Sequence, residues 1–356
     1  MIKVLGLALY GPLAASTRYR LAQYAAGLIE MGISLEIVHL LDDDYLRRRF
    51  GGGMPSPFAL LQMGVRRLID LRLQEHYDLA ILHCELFPLL PGRLERSLIR
   101  LPYIYDFDDA FYLKYRSKRF RWATSVLADK FDTIISGAAA VTAGNKELLQ
   151  YAHQFSPVVS YLPTVVDTAR YLPKRVRSDE IFTVGWVGSP STSPYLNELV
   201  EPLSILGREG QVRFLVVGGK APNIPEVEVV EMPWAEHTEI DLINTFDAGV
   251  MPLPDDAWAR GKCAFKLIQY MACAVPVIAS KVGANMDVVD ENCGFLVTTT
   301  QEWVETFRLL RDQPKIRENM GWAGRERVVK NYSLVGNLPV LANVIRSCVQ
   351  SKAQCR

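Results

Sequence analysis

Residues 260–278 read RGKCAFKLIQYMACAVPVI, and this stretch decides the architecture. Lys262, Lys266 and Gln269 recur at i, i+4 and i+7 in otherwise apolar surroundings. That spacing predicts a helix over 264–273, with three polar groups sharing one face near its start. The short β-branched run 275–279 predicts a buried strand after it, and 248–251 predicts one before it. A strand–helix–strand unit of this kind lays its two strands parallel with the helix packed across them.

Outward from this unit the same rhythm repeats. Strands are expected at 182–187, 212–217 and 227–230, and helices at 194–208, 236–246, 301–312, 314–330 and 337–350. Toward the amino end, 2–10 reads as a strand and 18–30 as an amphipathic helix that Gly32 stops. Buried strands follow at 35–40, 79–83, 103–105, 139–142 and 158–162. The expected class is α/β, with two Rossmann-like parallel-sheet domains facing a cleft. Residues 163–180 break the rhythm with two prolines and a run of charge. The expected division is therefore 1–165, a linker 166–180, 181–335, and a last helix 336–356 packing back on the first domain. Ligands of such sheets collect beyond the carboxyl ends of the strands.

Composition narrows the function. The 356 residues are 49% apolar and 22% charged with a formal net charge of +1, which gives no bulk attraction to nucleic acid. Six cysteines show no Cys-x-x-Cys pair, and the five histidines are read as not clustering with them. Reduced thiols and no metal are expected. The apolar start MIKVLGLALYGP is read as a first strand rather than a signal peptide. No stretch reaches the ~20 apolar residues of a membrane span. The expected location is cytoplasmic, at most on a membrane surface.

Four segments stand out chemically. After the first strand, Gly11 opens a turn into a helix carrying Arg18 and Arg20. Either its amides and arginines meet an acceptor or a phosphate, or it is a plain helix cap with solvated arginines. At the end of the strand 101–105 stand Asp106, Asp108 and Asp109, a carboxylate group that needs a compensating cation or polar ligand unless it is a solvated acidic turn. Gly188, Ser189 and Thr192 form a small-residue turn after a strand, either a phosphate cradle or a flexible loop with a Ser/Thr cap. The fourth segment is the opening one. Two ammonium groups beside a positive helix end make a diphosphate site; the alternative is a solvated face. No Gly-x-Gly-x-x-Gly occurs after the first strand, against a nicotinamide dehydrogenase.

At this fourth segment the sequence resembles family-4 retaining glycosyltransferases of the GT-B fold. The match runs through FKLIQYMACAVPVIAS (265–280), GANMD (283–287) and NCGFLV (292–297), and more weakly through 247–252 and 186–192. Families of this type carry a pair of glutamates, the second opening a Glu-Ala-Met-Ala-x-Gly-x-Pro-Val stretch. Here the second falls on Gln269 and the first on Gly261. A glutamine amide both accepts and donates, so Gln269 is expected to meet ribose hydroxyls, with Lys262 supplying charge beside Gly261. Many members carry an Arg/Lys pair near the position of Gly188, whose charge Lys262 and Lys266 would take over. Many also carry a first-domain histidine; no counterpart is read here, and Asp106 or Asp108 holds the comparable strand end.

The resemblance implies a nucleotide sugar held mainly by the second domain and an acceptor held by the first. Gly11, Gly188, Ser189, Thr192, Lys262, Lys266 and Gln269 would bind the donor. Arg18, Arg20 and Asp109 would meet the acceptor, and Asp106, Asp108 and Lys266 would serve catalysis. Lys262, Lys266 and backbone amides would stabilise the departing diphosphate without metal or cofactor. The transfer would retain configuration, to a saccharide or lipid-linked acceptor in polysaccharide or cell-envelope glycan synthesis. Two alternatives stand beside it: a nucleotide-sugar-binding relative without catalysis, and a metal-dependent GT-A-like transferase using Asp106 and Asp108. Basic and apolar residues also interleave at 47–50, at 65–73 and at 112–122, the last with five basic and four aromatic residues and no acid. Such surfaces suit anionic headgroups; the alternative is solvated helix faces plus an acceptor groove.

Overall fold

The computed structural model describes residues 1–174 and 181–354. Residues 175–180 of the expected linker, and Cys355 with Arg356, lie outside the described residues. The chain forms two compact units. Unit 1 comprises Met1–Val165, Gly261–Cys263 and the chain from Asn337; unit 2 comprises Val166–Arg260 and Ala264–Gly336.

Unit 1 is built on six parallel strands, β1 (Ile2–Tyr10), β2 (Ile33–Leu41), β3 (Leu79–His83), β4 (Tyr103–Phe107), β5 (Ala140–Ala143) and β6 (Val159–Tyr161). Their order is β2-β1-β3-β4-β5-β6. Val4–Leu9 and all of β3 and β4 are buried, because helices cover both faces and the strands are apolar without alternation. The order reverses between β1 and β3, so the loops after these strands part and leave a crevice at the carboxyl edge. The helix expected over 18–30 is broken into Ala15–Arg20, a 3-10 turn Ala22–Tyr24 and Ala25–Glu30. The break follows Arg20, whose guanidinium is drawn into the interior. The last helix, Leu334–Gln354, contains Pro339. Within unit 1, Arg346 donates to the Met31 carbonyl at 2.8 Å, and Leu338 fills the space beside Gly27 that a Cβ would occupy.

Unit 2 repeats the plan with β7 (Phe182–Val187), β8 (Val212–Val217), β9 (Glu228–Met232), β10 (Ala248–Met251), β11 (Val277–Ser280) and β12 (Gly294–Val297). The order β12-β11-β10-β7-β8-β9 is that of a Rossmann sheet, with its switch point between β7 and β10. One core, around Phe246, Leu267, Tyr270 and Met271, packs on one face. Another, around Trp186, Leu203, Phe214 and Phe307, packs on the other. The helix expected over 194–208 starts as a 3-10 segment, Ser193–Leu199, and becomes α-helical over Val200–Gly207. Thr299 and Glu302 close a reciprocal capping box on Thr300–Asp312.

Candidate functional site

In unit 1 the ladder register assembles the site. His83 pairs with Asp106 across β3 and β4, and Asp106 with Thr142 across β4 and β5. Register partners on neighbouring strands point to the same face, so three polar side chains meet at the carboxyl edge. Asp106 accepts from Arg20 Nη2 at 2.5 Å and Nε at 3.1 Å, from Thr142 Oγ1 at 2.6 Å and from His83 Nδ1 at 2.8 Å. All four residues are buried. Burial alone would raise the Asp106 pKa, but the Arg20 guanidinium and the His83 hydrogen bond outweigh it and hold the carboxyl well below the usual range.

Since Asp106 is ionised, Nδ1 of His83 donates to it, and Nε2 is the nitrogen left to face the sheet edge. Nε2 is buried without a hydrogen-bond partner and lies 3.9 Å from Oδ1 of Asp108. The same ring sits beside Cys84, held at φ 67°, and His83 Nε2, Cys84 Sγ and an Asp108 oxygen all lie within 4.8 Å of one another. Burial, with the charges of Asp108 and Asp106, pushes the Cys84 thiol up, so it is protonated. These three residues could hold a metal ion. The reading that histidines and cysteines do not cluster is thus corrected: His83 and Cys84 are chain neighbours whose side chains turn to one place.

The rest of this edge is internally paired. Arg18 donates to the Pro12 and Leu13 carbonyls at 2.8 and 2.7 Å, clasping its own loop. Gly11 is required there, because a Cβ would fall 2.5 Å from Asp43 Oδ1. Arg20 spends its guanidinium on Asp106 and the Leu162 carbonyl, which corrects the expectation of an arginine facing a ligand. Asp109 pairs with Lys262 at 3.4 Å; burial raises its pKa against the pull of that lysine. Asn145 donates to the carbonyls of Gly261 and Lys262 at 2.8 and 3.0 Å. A Cβ on Gly261 would lie 2.4 Å from the Ala110 Cβ, a physical reason for glycine where the resembling families have glutamate.

The stretch 112–122 is also less open than its composition suggests. Tyr115 is buried, Lys114 pairs with Glu85, and Arg116 with Asp132 at 2.7 Å. Glu85 and Glu95 in turn share the buried Lys130 at 2.7 and 2.8 Å.

In unit 2 the turn after β7 and the helix Phe265–Ala272 come together. A Cβ on Gly188 would lie 2.3 Å from the Trp186 ring and 3.0 Å from Cε of Lys266. Lys266 therefore runs over Gly188, its Nζ 5.5 Å from the Trp186 ring centroid. Gly218, at φ +79°, borders the same turn. Ser189 and Ser191 hydroxyls meet at 2.8 Å, and Thr192 donates to the Ser189 carbonyl at 3.1 Å rather than capping a helix. The helix begins at Phe265 after Ala264 at φ 53°. Lys262 thus lies outside it and belongs to unit 1, so Lys262, Lys266 and Gln269 do not share one helical face. Gln269 is buried and donates to the Tyr171 hydroxyl at 2.7 Å and to Glu239 at 3.0 Å. Glu239 also accepts from Trp234 at 2.7 Å. The glutamine expected at the ribose thus anchors an internal network.

Solved structures similar to this chain define its fold. HepE from Anabaena in complex with UDP-glucose has a TM-score of 0.71 at 16% identity, covering 98% of this chain and 100% of that one. Sucrose-phosphate synthase from Thermosynechococcus elongatus has a TM-score of 0.69 at 14% identity, covering 99% and 100%. WaaG, a glycosyltransferase involved in lipopolysaccharide biosynthesis, has a TM-score of 0.66 at 15% identity, covering 97% and 99%. No curated protein sequence matches the chain. The fold is GT-B, the fold of glycosyltransferases. This overturns a GT-A reading of Asp106-x-Asp108, and the Asp106 carboxylate is in any case enclosed by Arg20, His83 and Thr142. Residues 181–312, which include the Gly188 turn and the helix Phe265–Ala272, match the family described as Glycosyl transferases group 1.

His83, Cys84, Asn145, Tyr171 and Glu239 were not singled out by sequence. For His83 the available signal was a histidine closing an apolar strand, 23 residues before Asp106.

Proposed function

We propose that this protein moves a sugar from a nucleoside-diphosphate sugar to an acceptor hydroxyl, with retention of configuration and without a metal ion. One observation carries the donor half. The segment that matches the group 1 family contains both the Gly188 turn and the helix that bears Lys266, and Lys266 lies across that turn at the carboxyl edge, beside the switch point. Small residues let a diphosphate approach backbone amides, and an ammonium group opposes the charge that grows as the sugar–phosphate bond breaks. Structures of relatives are described with UDP, with UDP-glucose, and with UDP and a GlcNAc-glycerol, which supports a uridine diphosphate donor here.

The acceptor half falls to unit 1. Asp106 fixes the His83 tautomer, and Nε2 can accept a hydrogen bond from an acceptor hydroxyl, with Asp108 beside it. As the acceptor oxygen bonds to the anomeric carbon, the bond to the diphosphate breaks. On the retaining course the hydroxyl proton passes to the departing phosphate oxygen. The acceptor is a saccharide or a lipid-linked saccharide in glycan synthesis. The five described cysteines that are free are all buried, which fits a reducing compartment, and we place the protein on the cytoplasmic side.

A thermal-shift titration with UDP and UDP-glucose tests the donor site, because a ligand of the folded state raises the melting point by mass action. UDP is expected to raise it, and Lys266→Ala to remove the rise while leaving the far-UV spectrum unchanged. An undiminished rise in Lys266→Ala would sink the diphosphate assignment. Transfer is expected to survive EDTA; loss that zinc or manganese restores would assign a metal to His83, Cys84 and Asp108 instead. UDP binding with neither transfer nor hydrolysis would favour a non-catalytic relative, a reading to which the burial of Gln269 and the glycine at 261 lend weight.

A further inference from the structure

The helix Pro57–Asp70 is built inside out. Ser56 caps it and Pro57 opens it, and its stripe toward β2 holds Met63, packed on the cluster of Leu9, Leu40, Leu41 and Cys84. The residue of this helix that is fully buried is Arg67, which donates to the Ala8 carbonyl and whose pKa burial pulls down to about 10. Apart from Met63 and the half-buried Ala59, its apolar side chains face the other way. Phe58 is 68% exposed and Leu61 64%, and Val65, Leu68 and Ile69 are also exposed. Met54, on the approach to the helix, is 76% exposed. Positions 58, 61, 65, 68 and 69 form one stripe on a helix. A water-facing helix puts its apolar stripe inward; this one places an arginine inward and a phenylalanine, two leucines, a valine and an isoleucine outward. A contiguous apolar surface of this kind marks a contact site.

Charge identifies the occupant. Arg49 on the preceding helix Asp43–Phe50 reaches Met54, Nη1 to Sδ 3.1 Å, and Arg48 on that helix, Arg66 on this one and Arg72 just after it are exposed. Apolar residues framed by arginines match the boundary of a bilayer with anionic headgroups. A second copy of this chain would instead bring like charges together. Among the described residues no helix is long and apolar enough to cross a membrane. We infer that the surface formed by Asp43–Phe50 and Pro57–Asp70 seats unit 1 on an anionic membrane. The helix Asp43–Phe50 starts at the carboxyl end of β2, where Asp43 also holds the Gly11 loop through Leu13 N at 2.8 Å. The seat therefore adjoins the sheet edge that carries His83 and Asp108. Given the sugar-transfer reading, that edge would meet an acceptor carried on lipid; the docking itself does not depend on it.

Co-sedimentation with phosphatidylcholine vesicles, with and without phosphatidylglycerol, tests the inference. The wild type is expected to bind vesicles containing phosphatidylglycerol at least about tenfold more tightly than phosphatidylcholine alone, and to be released by salt. The triple variant Phe58→Ser, Leu61→Ser, Leu68→Ser and the charge variant Arg48→Glu, Arg66→Glu are each expected to lose about tenfold or more, with the UDP-induced thermal shift intact. These positions are exposed, so the variants should fold, and the shift reports both folding and the donor site. Wild-type protein that ignores both vesicles, or a triple variant that binds like wild type, would overturn the membrane seat without touching the donor assignment. A concentration-dependent dimer that the triple variant abolishes, without vesicle binding, would give the face to a second copy and overturn it too.

Discussion

The carboxyl edges of the two sheets solve different problems. In unit 1 the edge is crowded with charge that is satisfied from within: Arg20, Asp106, His83 and Thr142 form one buried network, and Glu85, Glu95 and Lys130 form another. In unit 2 the edge is made of small residues, Gly188, Ser189 and Gly218, with Lys266 laid across Gly188. Ionised groups taken out of water cost several kcal/mol each and return that only when fully paired. What the first edge gains is a histidine with one nitrogen committed and the other presented. The second edge keeps its backbone within reach of a ligand that brings its own charge. On the proposed reading, one sheet edge is preorganised for a neutral hydroxyl, the other for an anion.

The largest expected effect comes from breaking the first network. Asp106→Ala leaves the Arg20 guanidinium buried beside its loss and should cost about 3–5 kcal/mol, read by urea unfolding. Replacing both partners, Arg20→Met with Asp106→Leu, should recover much of that, since removing a buried pair together costs less than removing one member. A cost below about 1 kcal/mol for Asp106→Ala would mean that this edge is solvated, and the contrast between the units would fail.

A smaller effect is expected from restoring the glutamate at 261. In Gly261→Glu the new Cβ meets the Ala110 Cβ at 2.4 Å and its nitrogen at 3.0 Å, and backbone on both sides has to shift. Overpacking of this kind typically costs about 1–3 kcal/mol. The melting point should fall and UDP-glucose turnover should not rise. Increased turnover would show that the segment Gly261–Cys263 can leave unit 1 and that the glycine is a lost function rather than a packing requirement.

Much of this could be read from the chain. The alternation of short apolar runs with helical spacing led to two parallel sheets, because strands buried on both faces leave an apolar signature. Lys266 was legible as a cation in an apolar stretch. Lys262 was misplaced because the i, i+4 spacing assumed that the helix had already begun, whereas Ala264 takes a left-handed conformation and the helix starts one residue later. Gln269 looked functional for the same reason that it is structural: a polar group among apolar neighbours has to find partners, and Tyr171 and Glu239 are far away in sequence. His83 could not be weighed without the register that sets it opposite Asp106. Pairing across strands is a tertiary fact, and periodicity along one strand does not contain it.

The finest discriminator is pH. Burial raises the Glu95 pKa from 4.5 to about 7, against the attraction of Lys130, whereas Lys130 and Lys114 overcome burial at Glu85 and lower it. Lys130 is thus matched to Glu85, and Glu95 holds its proton. A carboxyl whose folded pKa lies above its unfolded value binds more protons when folded, so its contribution to stability is complete below about pH 4.5 and is lost as pH rises toward 7. Glu85 and Asp106 run the other way, and their contributions are already present above the unfolded carboxylate range. Between pH 5 and 7 the slope from this network therefore belongs to Glu95. Glu95→Gln, with a carbonyl to keep the hydrogen bond from Leu86 N, should change stability little at pH 5 and flatten the decline toward pH 7, measured by urea unfolding across that range. Parallel profiles for the two proteins would show that Glu95 is ionised throughout and that Lys130 serves two carboxylates at once.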